Sequence, residues 1–526
     1  MKHLLRRKQR GESLRGRLSV TTAKNLSRLV RAASAASIVQ EASFALPDLD
    51  ASLSAKAGPT PAQGLFAIMV VIAIAACVAA PEPASMLLSI AASCLFLATV
   101  FLRLFAGAAS LDHADVRHPP RINDRNLPTY SIVIALHREA RVVGQLTAAL
   151  DAIDYPRAKL DIKLVIEADD HATRLALEAL DLPPVYEIII APHGRPRTKP
   201  RASNIALPLV RGEFVAVFDA EDAPAPMQLR DAVERFRQAP AEVVCLQAQL
   251  SIDNIEDSWL TRLFSIEYAA LFDVLHHGLT GLGVPLPLGG SSNHFRTEAL
   301  REICGWDAWN VTEDADLGLR LTRFGYRSET LNSSTQEEAP ARLKAWMTQR
   351  RRWSKGWMQT FITLSRDPAR LIAEVGWARA GSLLLLMTAL VISPLLWPLL
   401  TALMIYDLAR VGLPSPTSIF ALVETTLWLS VGLFGAASVV WVALLGMKRR
   451  RLLGLWIFLP LLAPYYLLMS AAAWAALYDL IMRPYHWHKT EHGLAKSSRQ
   501  KNLAAAELAA AIKIKANSVG APPTRR

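Results

Sequence analysis

Phe214-Val215-Ala216-Val217-Phe218 runs directly into Asp219-Ala220-Glu221-Asp222. Five apolar residues, four of them β-branched or aromatic, followed by three carboxylates read as a buried strand ending at a polar edge. The same pattern recurs along the chain. Tyr130 to Leu136 and Leu160 to Glu167 are apolar strands separated by a helical Ala140 to Ile153, and Val185 to Ile190 and Val243 to Gln249 continue the series. Strands alternating with helices imply an α/β class with a mostly parallel sheet, whose ligands bind beyond the carboxyl ends of the strands. Asp169-Asp170 and Asp219 to Asp222 both fall at such ends.

Outside this region the chain changes character. A length of 526 residues with 52% hydrophobic composition exceeds what one soluble domain needs and fits a catalytic domain joined to membrane helices. Gly64 to Ala80 and Ser85 to Phe105, separated by Pro81-Glu82-Pro83, read as a hairpin of two spans; Leu383 to Tyr406 and Ile419 to Met447 are further spans. The loop around Gly412-Leu413-Pro414-Ser415-Pro416 is weakly charged and expected outside. Leu452 to Ile481 is either one crossing or, through Pro460 and Pro464, a broken or re-entrant hairpin, so the count stands open at four or six. Met358 to Val375 carries Arg366, Arg370 and Glu374 and suits the bilayer interface.

The net charge of +12 gathers in the first thirty residues, around Lys448-Arg449-Arg450-Arg451, and after Met482. That distribution fits cytoplasmic loops beside anionic lipid, and no groove-reading or base-stacking motif supports a nucleic-acid partner. The four cysteines have no spacing that suggests zinc or a disulfide framework. The expected organisation is a basic arm over 1–63, a transmembrane hairpin over 64–106, the α/β domain over 120–353, an interfacial amphipathic helix over 354–378, transmembrane helices over 379–482 and a basic tail over 483–526. The arm reads as flexible or surface-bound.

Several residues carry candidate chemistry. Asp219, Glu221 and Asp222 offer hard oxygen ligands suited to Mg²⁺ or Mn²⁺. Thr312 is placed to cap a helix through Leu317, Leu321 and Phe324, which puts Glu313 and Asp314 in its first turn; they are either ordinary first-turn acids or a catalytic pair. In the helical stretch holding Gln349-Arg350-Arg351-Arg352-Trp353, Trp353 offers a face for stacking a sugar and Arg352 a fork for diphosphate, while Arg350 and Arg351 fit a topological anchor. Asp169 and Asp170 serve a nucleotide or a strand-end turn, and Lys199 and Arg201 open a helix near a phosphate. Arg138, just past the first strand, joins them as a nucleotide-sugar candidate. His294 reads as an acceptor-pocket or structural residue.

Asp169-Asp170, Asp219-Ala220-Glu221-Asp222, Thr312-Glu313-Asp314 and Gln349 to Trp353, in this order between membrane segments, resemble the signature of the processive inverting family-2 glycosyltransferases, the group of cellulose, curdlan, mixed-linkage glucan and hyaluronan synthases. The resemblance runs from about Leu65 to His492, and Pro287 to Arg296 looks most like a bacterial subgroup of β-glucan synthases. It implies a GT-A type nucleotide-sugar-binding sheet inserted between transmembrane helices, in a multi-pass protein of the bacterial inner membrane with the catalytic domain in the cytoplasm. It further implies Asp314 as general base, Asp169 and Asp170 on the nucleotide, and Gln349, Arg352 and Trp353 as a lid. Where the family has a second metal aspartate this chain has Glu221 followed by Asp222, which leaves the inner ligand open between them. The expected activity is polymerisation of hexose, as glucose from UDP-glucose, into a β-linked polysaccharide that passes through the bilayer, with export or regulatory subunits as further partners. The alternative is a nonprocessive transferase that glycosylates a membrane lipid.

Overall fold

The computed structural model describes residues 35–79, 82–111, 121–411 and 418–485. The expected loop at Gly412 to Pro416, the basic residues before Ala35 and the tail after Tyr485 lie outside the described residues. Three helices lead the described residues: α1 (Ala35–Leu49), α2 (Pro61–Ala79) and α3 (Glu82–Ala109).

The expected loose arm is a packed part of the protein from Ala35 onward. Asn204 and Trp309 of the α/β domain donate to the Ala42 and Ser43 carbonyls at 2.9 and 2.8 Å. Ser54 Oγ and the Ala55 N–H both donate to the buried Asp307 carboxylate, at 2.9 and 2.6 Å. Arg366 donates to the carbonyls of Ser52, Ser54 and Gly58, each at 2.8 Å. These partners come from residues 162 to 314 positions away and leave no local trace in sequence, which is why the segment reads as an arm.

Eight strands form one sheet: β1 (Tyr130–Leu136), β2 (Leu160–Glu167), β3 (Tyr186–Ala191), β4 (Phe214–Val217), β5 (Ala223–Pro224), β6 (Val243–Ile252), β7 (Asn293–Arg296) and β8 (Arg327–Glu337), in the order β3-β2-β1-β4-β7-β6-β8-β5. β1 to β4 pair in parallel, with Tyr130 facing both Leu160 and Phe214; β7 runs against β4 and β6, and β5 runs against β8. The fold is therefore α/β with a mixed, mainly parallel sheet. Both faces are covered, one by a core including Ile132, Ile134, Leu146 and Phe236, the other by Val133, Val165, Ile205 and Trp306. Double burial explains the near-continuous apolar runs of β1, β2 and β4. β8 escapes sequence reading because its alternating inward positions include Ser333 and Thr335, whose hydroxyls are buried.

Five helices shape the site: α4 (Lys199–Ala206), α5 (Trp259–Ala270), α6 (His276–Gly281), α7 (Glu313–Arg323) and α8 (Leu343–Leu364). The interfacial helix expected over 354–378 is instead two elements. α8 continues through Met358 to Leu364, and a separate α9 (Pro368–Val375) begins where Asp367 accepts from the Arg370 N–H at 2.9 Å and Pro368 takes the first helical position.

The remaining helices are α10 (Trp377–Met387), α11 (Ser393–Val411), α12 (Ile419–Arg449) and α13 (Leu462–Met482). Among the described residues, four stretches are long and apolar enough to cross a membrane: Met86–Ala109, Trp377–Ala402, Ile419–Arg449 and Leu453–Met482; Pro61–Ala73 is a shorter apolar helix. In the last stretch a 3₁₀ segment over Leu453–Leu461, which contains Pro460, is followed directly by α13. Both its ends nevertheless meet the α/β domain. Arg450 pairs with Asp273 at 2.5 and 2.9 Å, and Lys355 and Gln359 of α8 donate to the Arg483 and Pro484 carbonyls at 3.3 and 3.0 Å.

Candidate active site

β4 delivers Asp219 to the carboxyl edge of the sheet, where the chain turns through Ala220 and Glu221 to Asp222. Asp222 faces inward: one of its oxygens accepts the Asp219 N–H at 2.7 Å and the Ser291 hydroxyl, and the residue is 1% exposed. Burial, then the Asp219 and Glu221 charges, hold its carboxyl well above the usual range. Asp222 thus braces the loop, and of the two residues left open by the sequence it is Glu221 that lines the cavity with Asp219. Among the described residues no three metal-ligating side chains converge. Asp219 and Glu221, both in the cavity lining, still fit Mg²⁺ or Mn²⁺, since such ions take one or two protein carboxylates and complete their shell with substrate phosphates.

Opposite β4, the first turn of α7 presents Glu313 and Asp314, both about 5% exposed. Thr312 occupies the expected N-cap position, but its side chain makes no cap bond. Lys199, at the start of α4, joins the two acidic groups: its Nζ lies 2.5 Å from Asp219 Oδ1 and 3.9 Å from Asp314 Oδ2, and donates to the Gly290 carbonyl at 2.6 Å. Burial alone would lower the Lys199 pKa, but Asp219, Asp314 and Glu313 outweigh it and raise the ammonium above its ordinary value. Burial, reinforced by Glu313, pushes Asp314 well above the carboxylate range, and its Oδ1 has no hydrogen-bond partner.

α8 closes over these groups. Thr360 accepts from Asn310 Nδ2 at 2.9 Å, Gln359 accepts the Val311 N–H at 3.0 Å, and a Cβ on Gly356 would fall 2.0 Å from the Thr312 hydroxyl. Gly356 therefore permits the helix to seat directly on the loop that carries the acids. Neither Gly356 nor Gln359 and Thr360 stands out in the sequence, because each acts through a contact some fifty residues distant. Gln349, Arg352 and Trp353 all line the cavity; Arg352 reaches the Val311 carbonyl at 3.4 Å. Burial lowers the Arg352 pKa, against the opposing pull of Glu313 and Asp219.

Arg350 and Arg351 are struts rather than the topological anchors the sequence suggests. Arg350 pairs bidentately with Glu267 of α5, both bonds 2.6 Å, donates to Tyr465 of α13 at 3.0 Å, and lies 4.4 and 4.6 Å from the Phe264 and Trp353 ring centres; Arg351 pairs with Asp479. Arg350→Met should cost about 3 kcal/mol, since removing one partner strands the other charge. A thermal melt in detergent should fall accordingly, and an unchanged midpoint would deny the strut.

Four expected nucleotide residues, Arg138, Asp169, Asp170 and Arg201, lie outside the cavity lining. Arg201 is fully buried and spends its guanidinium on Glu167, at 2.8 and 2.6 Å, so it locks α4 to β2. Asp170 caps the helix His171–Glu178, accepting the Thr173 N–H at 3.2 Å, and also accepts the N–H of Arg138. That bond holds Arg138 at φ +59°, a left-handed conformation. Asp169 is paired with Arg197, which lowers its carboxyl pKa, and it is Arg197 that reaches the cavity lining. His294 is structural: Nδ1 meets the Tyr130 hydroxyl at 2.7 Å, and burial lowers its pKa to about 3.

The cavity has a volume of about 960 Å³ and is continuous from Asp219, Glu221 and Asp314, beneath Trp353, to Val100, Val431, Gly432 and Val439 on the apolar helices α3 and α12. The first of these ends is charged; the other is mainly apolar, with Thr99, Arg103, Tyr466 and Ser470 among its lining residues.

Comparison with known families gives two matches. The model described as "Glycosyl transferase family group 2" matches residues 214–482, just over half of the chain, and "Glycosyl transferase family 2" matches 131–296. Among curated proteins, the "Beta-monoglucosyldiacylglycerol synthase" of Nostoc is 28% identical over 257 residues, 47% of this chain and 52% of that protein. The "Probable glycosyltransferase YdaM" of Bacillus subtilis is 24% identical over 241 residues, 45% of this chain and 57% of that protein. The chain thus spans about half the length of the curated relatives it matches. A solved mannosyltransferase from Pyrobaculum calidifontis, in complex with GDP-Man and Mn²⁺, is similar at 18% identity and a TM-score of 0.45, covering 74% of this chain and 99% of that one.

Proposed function

Since this chain belongs to glycosyl transferase family group 2 and its sheet is of the family's GT-A type, we propose that it transfers a hexosyl unit from a nucleoside diphosphate to the hydroxyl of a membrane lipid. The observation that carries this reading is the cavity running from the carboxylates into the apolar helices. An acyl lipid leaves its chains among Val100, Val431 and Val439 and brings its hydroxyl to the charged end. A polysaccharide in the same space would have Thr99, Arg103, Tyr466 and Ser470 to bond with in a mainly apolar lining, and each hydroxyl left unpaired there would cost roughly 1–3 kcal/mol. The Nostoc relative is named as a synthase of monoglucosyldiacylglycerol. The processive reading suggested by the lid residues is therefore set second.

In this mechanism Asp314, buried and without a partner at Oδ1, accepts the proton of the acceptor hydroxyl, and the oxygen attacks the anomeric carbon as the diphosphate leaves. A single displacement inverts that carbon. Arg352 and Lys199 face the leaving charge, and Trp353 stacks against the transferred sugar. Asp219 and Glu221 would hold the divalent cation, which when bound neutralises diphosphate charge that side chains alone neutralise poorly. The helices α3, α10–α11 and α12 set the protein in the bilayer, and the contacts at both ends of Leu453–Met482 keep that stretch on the side of the α/β domain.

Glu221→Ala should raise the Mg²⁺ or Mn²⁺ concentration needed for half-maximal activity by about tenfold or more. Asp222→Ala should leave that requirement alone while lowering thermal stability. The reverse pattern would assign the ligand to Asp222. The function itself is tested by incubating purified protein with a panel of nucleotide sugars and diacylglycerol. A chloroform-soluble glycolipid is expected; a high-molecular-weight, hydrolase-sensitive polymer as the sole product would overturn the lipid reading.

A further inference from the structure

α3 carries one charge within its 24-residue apolar stretch Met86–Ala109, and that charge is Arg103. Arg103 lines the cavity, flanked there by Val100, Ala106, Val439 and Val442. Among the described residues its one hydrogen bond is to the Ser438 hydroxyl of α12, at 3.4 Å, and no carboxylate pairs with it. An intramembrane cation with so thin a set of partners calls for a ligand or a route to water.

Val100 of α3 stands 3.8 Å from the Cβ position of Gly435 on α12, and Arg103 and Ser438 each lie three residues further along their helices. The guanidinium therefore meets Ser438 across the helix pair at its own depth and does not reach toward the surface. A buried polar atom without a partner, Nδ1 of His276 on α6, belongs to a residue lining the same cavity.

Resting on the lipid-acceptor reading, we propose that Arg103 is the residue that recognises the acceptor, its guanidinium donating to the ester carbonyls of an acylglycerol whose free hydroxyl lies toward Asp314. Ester carbonyls lie a few bonds from that hydroxyl, and a pair of them suits a planar fork of donors.

The test uses full-length protein in mixed micelles with two acceptors, 1,2-diacylglycerol and the matching 1,2-dialkylglycerol, which keeps the hydroxyl and chains but lacks carbonyl oxygens. Wild type should show a KM about tenfold lower for the diacyl lipid, the effect of one hydrogen bond to a charged donor. Arg103→Leu should bring the two acceptors to the same KM, and Arg103→Lys should restore part of the difference. Equal use of both lipids by wild type would overturn the proposal whatever the variants do. So would an Arg103→Leu protein that keeps the preference or loses both lipids in parallel, which marks a structural role. If neither lipid is glycosylated and polymer forms instead, it is the functional reading that fails, and the two failures are distinguishable.

Discussion

Asp314→Asn should bind nucleotide sugar as wild type does and transfer it about a thousandfold more slowly, within the range general-base catalysis contributes. Asparagine keeps the volume and the position in the first turn of α7 but cannot take a proton. Binding measured by calorimetry and transfer measured by product formation separate the two steps. The pH dependence gives a second readout. Burial and Glu313 hold the Asp314 carboxyl above the usual range, and a base works deprotonated, so wild-type kcat should climb as pH rises through that elevated pKa while the Asn variant stays flat. Stability should move oppositely. A carboxyl whose folded pKa exceeds its unfolded one binds more protons when folded, so its ionisation costs stability as pH rises from the unfolded value to the folded one. Asp314→Asn removes that cost and should melt no lower than wild type at neutral pH. Near-normal turnover would remove Asp314 from the role, and a lost fold would show as lost nucleotide binding.

The parts of this site that could be read in advance are those whose signal is local. Phe214 to Val217 forms a strand because its own residues are apolar, and Asp219 follows because strand ends in parallel sheets face the ligand crevice. Lys199, Glu221, Asp314, Arg352 and Trp353 stand around one cavity, as their order along the chain suggested. Arg201 and Asp170 misled because sequence gives a residue's chemistry and not its partner: Glu167 takes the guanidinium, and a helix N-terminus takes the carboxylate. The choice between Glu221 and Asp222 needed Ser291, seventy residues on, whose hydroxyl turns Asp222 inward. Gly356 and Gln359 were invisible for the same reason, since their meaning lies in the loop they touch. Polymer against lipid was also not legible, because the lid residues serve any acceptor and the discriminating feature is the lining of a cavity built from α3, α12 and the α/β domain together.

That lining supplies the second large effect. Gly432 of α12 faces open space, with no atom within 4 Å of where a Cβ would stand, and it lines the apolar end of the cavity. Gly432→Phe would place a ring in that space without displacing a packed neighbour, and phenylalanine sits in a helix slightly better than glycine, so the fold should hold. The volume it takes is volume an acyl chain needs. Transfer to diacylglycerol should fall by about a hundredfold, in keeping with an acceptor whose chain no longer fits. Nucleotide-sugar binding and slow donor hydrolysis, which depend on Lys199, Asp219 and Arg352 at the far end, should persist. Short-chain acceptors should regain activity, because a chain that stops before α12 avoids the ring. A polymerase exporting its product through the same space would respond differently, since blocking the exit would halt elongation whatever the acceptor's chain length. Rescue by shortening the acyl chain therefore discriminates the two activities, and its absence in a variant that still hydrolyses donor would count against the lipid.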